Sequence, residues 1–262
     1  MSYETLTLTR SNGVAVLTLN RPTAANTINE TLAREFMQAA IECDDAADIR
    51  AVVLTGAPPM FCLGGDLKSF GGAGDQLKSK LKEITAYLHA GISRLTRMDA
   101  PVIAAVNGVA AGAGFSLAMS TDLAIAAESA SFVMAYTNAG LAPDGSSTFF
   151  MPRRIGDRRT RELMLTNRML SSKEALEWGI VNQVVPDAQL HETAMALAQR
   201  FANGPTRAYG AVKSLLNASF DNGLETQMEL EARAIANMSA TEDGREGIAA
   251  FIAKRKPQFS GR

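Results

Sequence analysis

Cysteine and histidine are scarce in this chain of 262 residues, which has two of each. Cys43 and Cys62 cannot build a disulfide framework or a four-ligand zinc site, and His89 and His191 are too few for a histidine-rich metal site. Charge of one sign is lacking too: 26 Lys and Arg stand against 27 Asp and Glu, a net charge of −1. No basic excess is available to neutralise a phosphate backbone, so nucleic acid is not an expected partner. No uncharged run is long enough to span a membrane. Met1-Ser2-Tyr3-Glu4 leads straight into strand-like sequence, without the basic start and apolar stretch of a signal peptide. The expected location is a reducing cytoplasm. Two local basic clusters, Arg153, Arg154, Arg158, Arg159 and Arg161, then Lys254, Arg255 and Lys256, read mainly as solvated helix surface.

What the chain does have is a repeated sentence of short apolar strand, glycine and helix. It opens with a hairpin, Leu6–Thr9 and Val14–Leu19 around Asn12-Gly13, a strong turn signal between apolar runs. The sentence then reads Ala51–Gly56, again Pro101–Gly108, and in a weaker copy Leu123–Ala127. Continuous apolar strands alternating with helices predict an α/β fold with a parallel sheet covered on both faces. The glycine-rich stretch Phe70 to Asp75 reads as a mobile loop. From about Thr160 the pattern becomes almost wholly helical, with helices expected at 188–203, 205–218 and 222–239. In the last of these Leu224, Met228, Ile235 and Met238 share a face. This divides the chain into an α/β core over 1–200 and a helical region over 201–262. A region that small packs on the core or on another subunit.

Two glycine turns carry the candidate chemistry: Phe61-Cys62-Leu63-Gly64-Gly65-Asp66-Leu67, and Asn107-Gly108 through Gly112-Ala113-Gly114-Phe115-Ser116. Amides in a helix's first turn lack internal partners, and the helix dipole makes that end positive. Two such amides converging on one point would form an oxyanion hole. Other glycine motifs fail. Gly112-x-Gly114 is followed three residues on by Leu117, so no dinucleotide fingerprint exists, and no Gly-Lys-Ser/Thr marks a phosphate loop. Gly114-Phe115-Ser116-Leu117-Ala118 approaches a serine nucleophile elbow but ends in alanine.

Along almost its whole length the sequence resembles the enoyl-CoA hydratase/isomerase (crotonase) superfamily. The resemblance is carried in order by Val16–Pro22, Phe61–Leu67, Pro101–Asp122, Gly140-Leu141-Ala142-Pro143-Asp144, Trp178-Gly179-Ile180-Val181 and Phe251–Pro257. It implies a spiral of repeated ββα units, an acyl-CoA thioester as substrate, no metal or redox cofactor, and a homotrimer or dimer of trimers. It places the oxyanion amides on Gly65 and Ala113. It implies further substrate contacts from Ala24, Asn26, Leu63, Asp66 and Leu67 around the first turn. Others would come from Gly112, Ser116 and Tyr136 around the second, and from Lys254 near the C-terminus.

The departures from the family pattern are informative. The two glutamates with which family hydratases add water are replaced by Ser116 and Tyr136. Asp144 matches a position where family isomerases carry a carboxylate, which implies a base. From the residues alone, an Asp ahead of Gly145-Ser146-Ser147 reads better as a helix N-cap. The leading expectation is therefore a Δ3-Δ2-enoyl-CoA isomerase with Asp144 as base. The alternatives are a hydratase working with one carboxylate, or a non-catalytic acyl-CoA-binding subunit.

Overall fold

The structure, a computed structural model, describes residues 2–262. Strands β1 (Leu6–Ser11) and β2 (Val14–Leu19) form the expected hairpin, with Leu8 opposite Leu17. Its turn holds Asn12 at φ 51° and Gly13 at φ 81°. Two consecutive positive φ values suit the right-handed twist of the flanking strands, which is why Asn-Gly is found there. β2 continues in parallel into β3 (Ala51–Gly56), β4 (Val102–Val106), β6 (Leu123–Ala127) and β9 (Gln183–Val185), giving a six-stranded sheet in the order β1-β2-β3-β4-β6-β9. Every residue of β4 is buried, as its unbroken apolar run requires of a central parallel strand.

Helix α1 (Glu30–Asp45) starts where the Asn29 side chain accepts from the Leu32 amide, and it packs along α3 (Leu77–Arg97). Helix α8 (Leu190–Ala202) lies against β2, β3, β4 and β6. It does so through Ala194, Ala198 and Ala202, a four-residue repeat of small side chains that lets helix and sheet approach closely. A second sheet of three strands, β5 (Ala110–Ala111), β7 (Ser131–Val133) and β8 (Leu170–Ser171), stands beside the first. β4, β5 and α4 (Ala113–Ser120) make one ββα turn of a spiral; β6, β7 and α5 (Ser147–Ile155) make the next.

Four sequence expectations change. The copy at Leu123–Ala127 leads into β7 rather than directly into a glycine turn and helix. The stretch Phe70 to Asp75 is folded, its first residues closing α2 (Leu67–Gly71) and Gly74–Gln76 forming a 3-10 turn. The region after Thr160 is not wholly helical, because β8 and β9 lie within it alongside α6 (Asp157–Thr166) and α7 (Ser172–Glu177). The first arginine cluster is also more than solvated surface. Arg153 lies 3.7 Å from the Phe149 ring centroid, Arg159 stacks over Trp178, and Arg154 donates to the Thr121 carbonyl at 2.6 Å.

Beyond α8 come α9 (Thr206–Ala218), α10 (Leu224–Ser239) and α11 (Glu242–Ile252). Helix α9 docks on the core through buried Lys213, whose Nζ donates to the Leu95 and Ala100 carbonyls and pairs with Asp122 at 2.8 Å. Helix α10 buries no residue against the rest of the chain; Leu224, Met228 and Ile235 are exposed. No helix among the described residues is long and apolar enough to cross a membrane.

Candidate active site

The first glycine turn is fixed from beneath. Asn26 is fully buried, its Nδ2 donating to the Ala57 and Met60 carbonyls at 2.8 and 2.7 Å while its Oδ1 accepts from the Arg21 amide. Asp66 caps α2 by accepting from the Ser69 amide and pairs with Arg21 at 2.9 Å. Both side chains are thus consumed in building the turn, a structural task rather than a contact with the cavity. The Ile28 amide donates to the Gly64 carbonyl and the Asp66 amide to the Ile28 carbonyl, at 2.7 and 2.9 Å. Between them, the Gly65 amide has no acceptor among the described residues.

The second turn is tied to the first by backbone. The Cys62 amide donates to Val109, and the Ala111 amide donates to the Cys62 carbonyl at 2.9 Å. Gly112, at φ 49° and ψ −122°, then turns the chain into α4, whose first residue is Ala113. The first intrahelical bond runs from the Ser116 amide to the Gly112 carbonyl, so the Ala113 amide is unused inside the helix. Gly64, at φ 89°, sits against this corner. A Cβ there would lie 2.9 Å from the Ala111 carbonyl oxygen and 3.3 Å from the Ala113 nitrogen. Only glycine permits that approach.

Gly65 and Ala113 border the same cavity of about 220 Å³. Its walls are mainly apolar, with Ile28, Leu63, Leu67, Phe70, Ile84 and Leu88 among them, and Gly112, Tyr136 and Asp144 also line it. Of the residues expected at the site, Ala24, Asn26, Asp66, Ser116 and Lys254 lie outside this lining. Lys254 is exposed just beyond the end of α11.

Asp144 does not cap the helix that follows it. The Ser146 cap position of α5 has left-handed geometry (φ 69°) and makes no side-chain cap bond; the Asp144 backbone carbonyl, not its carboxylate, accepts from Ser147. The carboxylate is held elsewhere. Tyr136 donates its hydroxyl proton to Oδ1 at 2.6 Å, and His89 Nε2 lies 3.3 Å from Oδ2. Tyr136 also meets Ser116 Oγ at 3.0 Å. Because the carboxylate only accepts, the tyrosine is the donor to it, and the single Ser116 hydroxyl proton is shared between the Tyr136 oxygen and the Gly112 carbonyl. Burial, then the neighbouring Asp144 charge, pushes the Tyr136 pKa up, so it stays a protonated donor. Ser116 and Tyr136, at the positions where the resemblance implies glutamates, here form a hydrogen-bonded chain ending on Asp144.

His89 is the residue that sequence reasoning left out of the site. Its one signal is position: it flanks the buried stripe Ile84, Leu88 and Ile92 of α3, one turn beyond cavity-lining Thr85. A serine nucleophile finds no support, since His89 Nε2 faces Asp144 and Gly145 and Ser116 Oγ bonds Tyr136 and Gly112. Nor is Cys62 a nucleophile, as burial pushes its thiol up to about 12.

An apolar cavity between two docked glycine turns, on a spiral of ββα units, is the architecture of the crotonase-fold acyl-CoA enzymes. The chain belongs to the enoyl-CoA hydratase/isomerase family, whose model matches residues 9–262. It is 41% identical over 257 residues to the 1,2-epoxyphenylacetyl-CoA isomerase of Escherichia coli (strain K12), covering 95% of this chain and 96% of that one. It is 38% identical to a Rhodobacter capsulatus protein named "Probable enoyl-CoA hydratase", over the full length of both. The crystal structure of an enoyl-CoA hydratase from Bacillus anthracis superposes with a TM-score of 0.92 at 32% identity, covering 99% of this chain and all of that one.

Proposed function

We propose that the protein is an acyl-CoA isomerase that shifts a double bond from Δ3 to Δ2, with Asp144 as the base. The observation that carries this reading is that Asp144 is the single carboxylate on the cavity wall among the described residues, in a chain whose positions 116 and 136 bear no acid. The Gly65 and Ala113 amides receive the thioester carbonyl oxygen and favour the enolate that forms when Asp144 takes a proton from C2. The same carboxyl returns the proton at C4. One base is enough, because the proton is moved and not consumed, and the step calls for no metal or redox cofactor. The apolar walls suit a hydrocarbon acyl group. The name of the Escherichia coli relative, an isomerase acting on a CoA ester, supports the same reaction class.

The second reading is hydration, supported by the names of the other two relatives. Syn addition of water needs one group to activate the water and another to protonate the α-carbon. A tyrosine whose pKa is raised is a poor activator at neutral pH. Hydration of a 2-enoyl-CoA is expected to be at least about tenfold slower in kcat/KM than isomerisation of the 3-enoyl-CoA of equal chain length. Product masses separate the two; hydration that equals or outruns isomerisation across short and medium chains selects the hydratase.

We also infer self-assembly into a homotrimer or dimer of trimers, with α10 as part of the contact. Support comes from Leu224, Met228 and Ile235, which present an apolar face that the chain itself leaves uncovered. Sedimentation is expected to give three or six times the 27.9 kDa chain mass, and a monomer at micromolar concentration would refute it.

A further inference from the structure

We propose that His89 is a positioning residue for Asp144, an inference that rests on the acid–base reading above. The two residues are far apart in sequence and meet only because α3 runs past the loop before α5. The imidazole is itself anchored, since the Gly145 amide donates to Nε2 at 3.2 Å. That amide can only donate, so Nε2 offers its lone pair and the ring proton sits on Nδ1. The Asp144 Oδ2 atom then lies 3.3 Å from an acceptor. Once Asp144 has taken a proton, its carboxylic O–H donates to Nε2 and shares that nitrogen's one lone pair with the Gly145 amide. At Oδ1 the roles are reversed, and the carboxyl accepts the Tyr136 hydroxyl proton.

Asp144 is therefore met at both oxygens: Oδ1 accepts from Tyr136, and Oδ2 is tied to His89 once it carries the proton. Such an arrangement fixes the carboxyl plane at the stage where the proton must be returned, which is what a base that both takes and gives back a proton requires. His89 does not border the cavity, and its side chain is half exposed, at 49%. It acts through Asp144 and not on the substrate.

The test compares His89→Ala, His89→Gln and Asp144→Asn in the full-length protein. Two readouts are used: 3-hexenoyl-CoA turnover, and deuterium uptake from D2O at the α-carbon of phenylacetyl-CoA, which needs only a base and an enolate site. His89→Ala is expected to lower kcat and the exchange rate by about tenfold, with KM and melting temperature nearly unchanged. His89→Gln places an amide oxygen where Nε2 was, able to accept from Gly145 and from protonated Asp144, and is expected to recover most of the loss. Wild-type exchange in His89→Ala, or equal impairment in both His89 variants, overturns the proposal. If Asp144→Asn exchanges at the wild-type rate, the base assignment falls and His89 falls with it. Abolished exchange in Asp144→Asn beside undiminished exchange in His89→Ala removes the His89 role alone.

Discussion

Asp144→Asn is expected to lower kcat at least about 100-fold, the lower bound for loss of a general base, while acyl-CoA binding stays close to wild type. The substitution is nearly isosteric and the local bonds can survive it. The amide oxygen can accept from Tyr136, which now stands 2.6 Å from Oδ1, and the amide nitrogen can donate to His89 Nε2. Fold and cavity walls are thus kept while the proton acceptor is removed. On the proposed reading, binding is shared between ground state and transition state and rests on Gly65, Ala113 and the apolar walls, so KM should move little. The measurement is kcat and KM for a 3-enoyl-CoA, with binding checked by calorimetry on a non-reacting saturated acyl-CoA. A variant that retains more than about a tenth of the wild-type kcat, far short of that bound, rules Asp144 out as the base.

The sequence made some of this legible and hid the rest for physical reasons. Strands β3 and β4 were visible because central parallel strands are apolar on both faces, and the Asn12-Gly13 turn because few residues tolerate its backbone geometry. β8 and β9 were not visible. They are two and three residues long and only partly buried, too short to carry a period of two, and their pairing with β7 and β6 is set by the tertiary fold. The glycine turns were legible as turns, but their docking was not, since nothing local states that the Cys62 carbonyl meets the Ala111 amide. The same limit applies at Asp144. A residue before Gly-Ser-Ser looks like a cap until the left-handed Ser146 takes that position, and the His89 and Tyr136 partners come from separate elements.

That docking is where the second large effect is expected. Gly114, the second residue of α4, faces the Cys62 backbone so closely that an added Cβ would stand 2.1 Å from the Cys62 carbonyl oxygen and 2.7 Å from Cys62 Cβ. Neither atom belongs to the end of a flexible side chain, so Gly114→Ala must push the first turn of α4 away from the first glycine turn. The displaced segment includes Ala113, and the pair of amides that borders the cavity is pulled apart. Overpacking of this kind costs about 1–3 kcal/mol of stability. Misplacing one oxyanion donor costs about 100- to 1000-fold in rate. Gly71→Ala is the matched control, because a Cβ there meets nothing within 4 Å and the residue is not at positive φ. The expected result is a Gly114→Ala protein that still folds, with a lowered melting temperature, and turns over at about 1% of wild type or less, beside a Gly71→Ala protein that matches wild type in both. Wild-type kcat in Gly114→Ala would mean that the spacing of the two turns does not set the position of the reacting carbonyl.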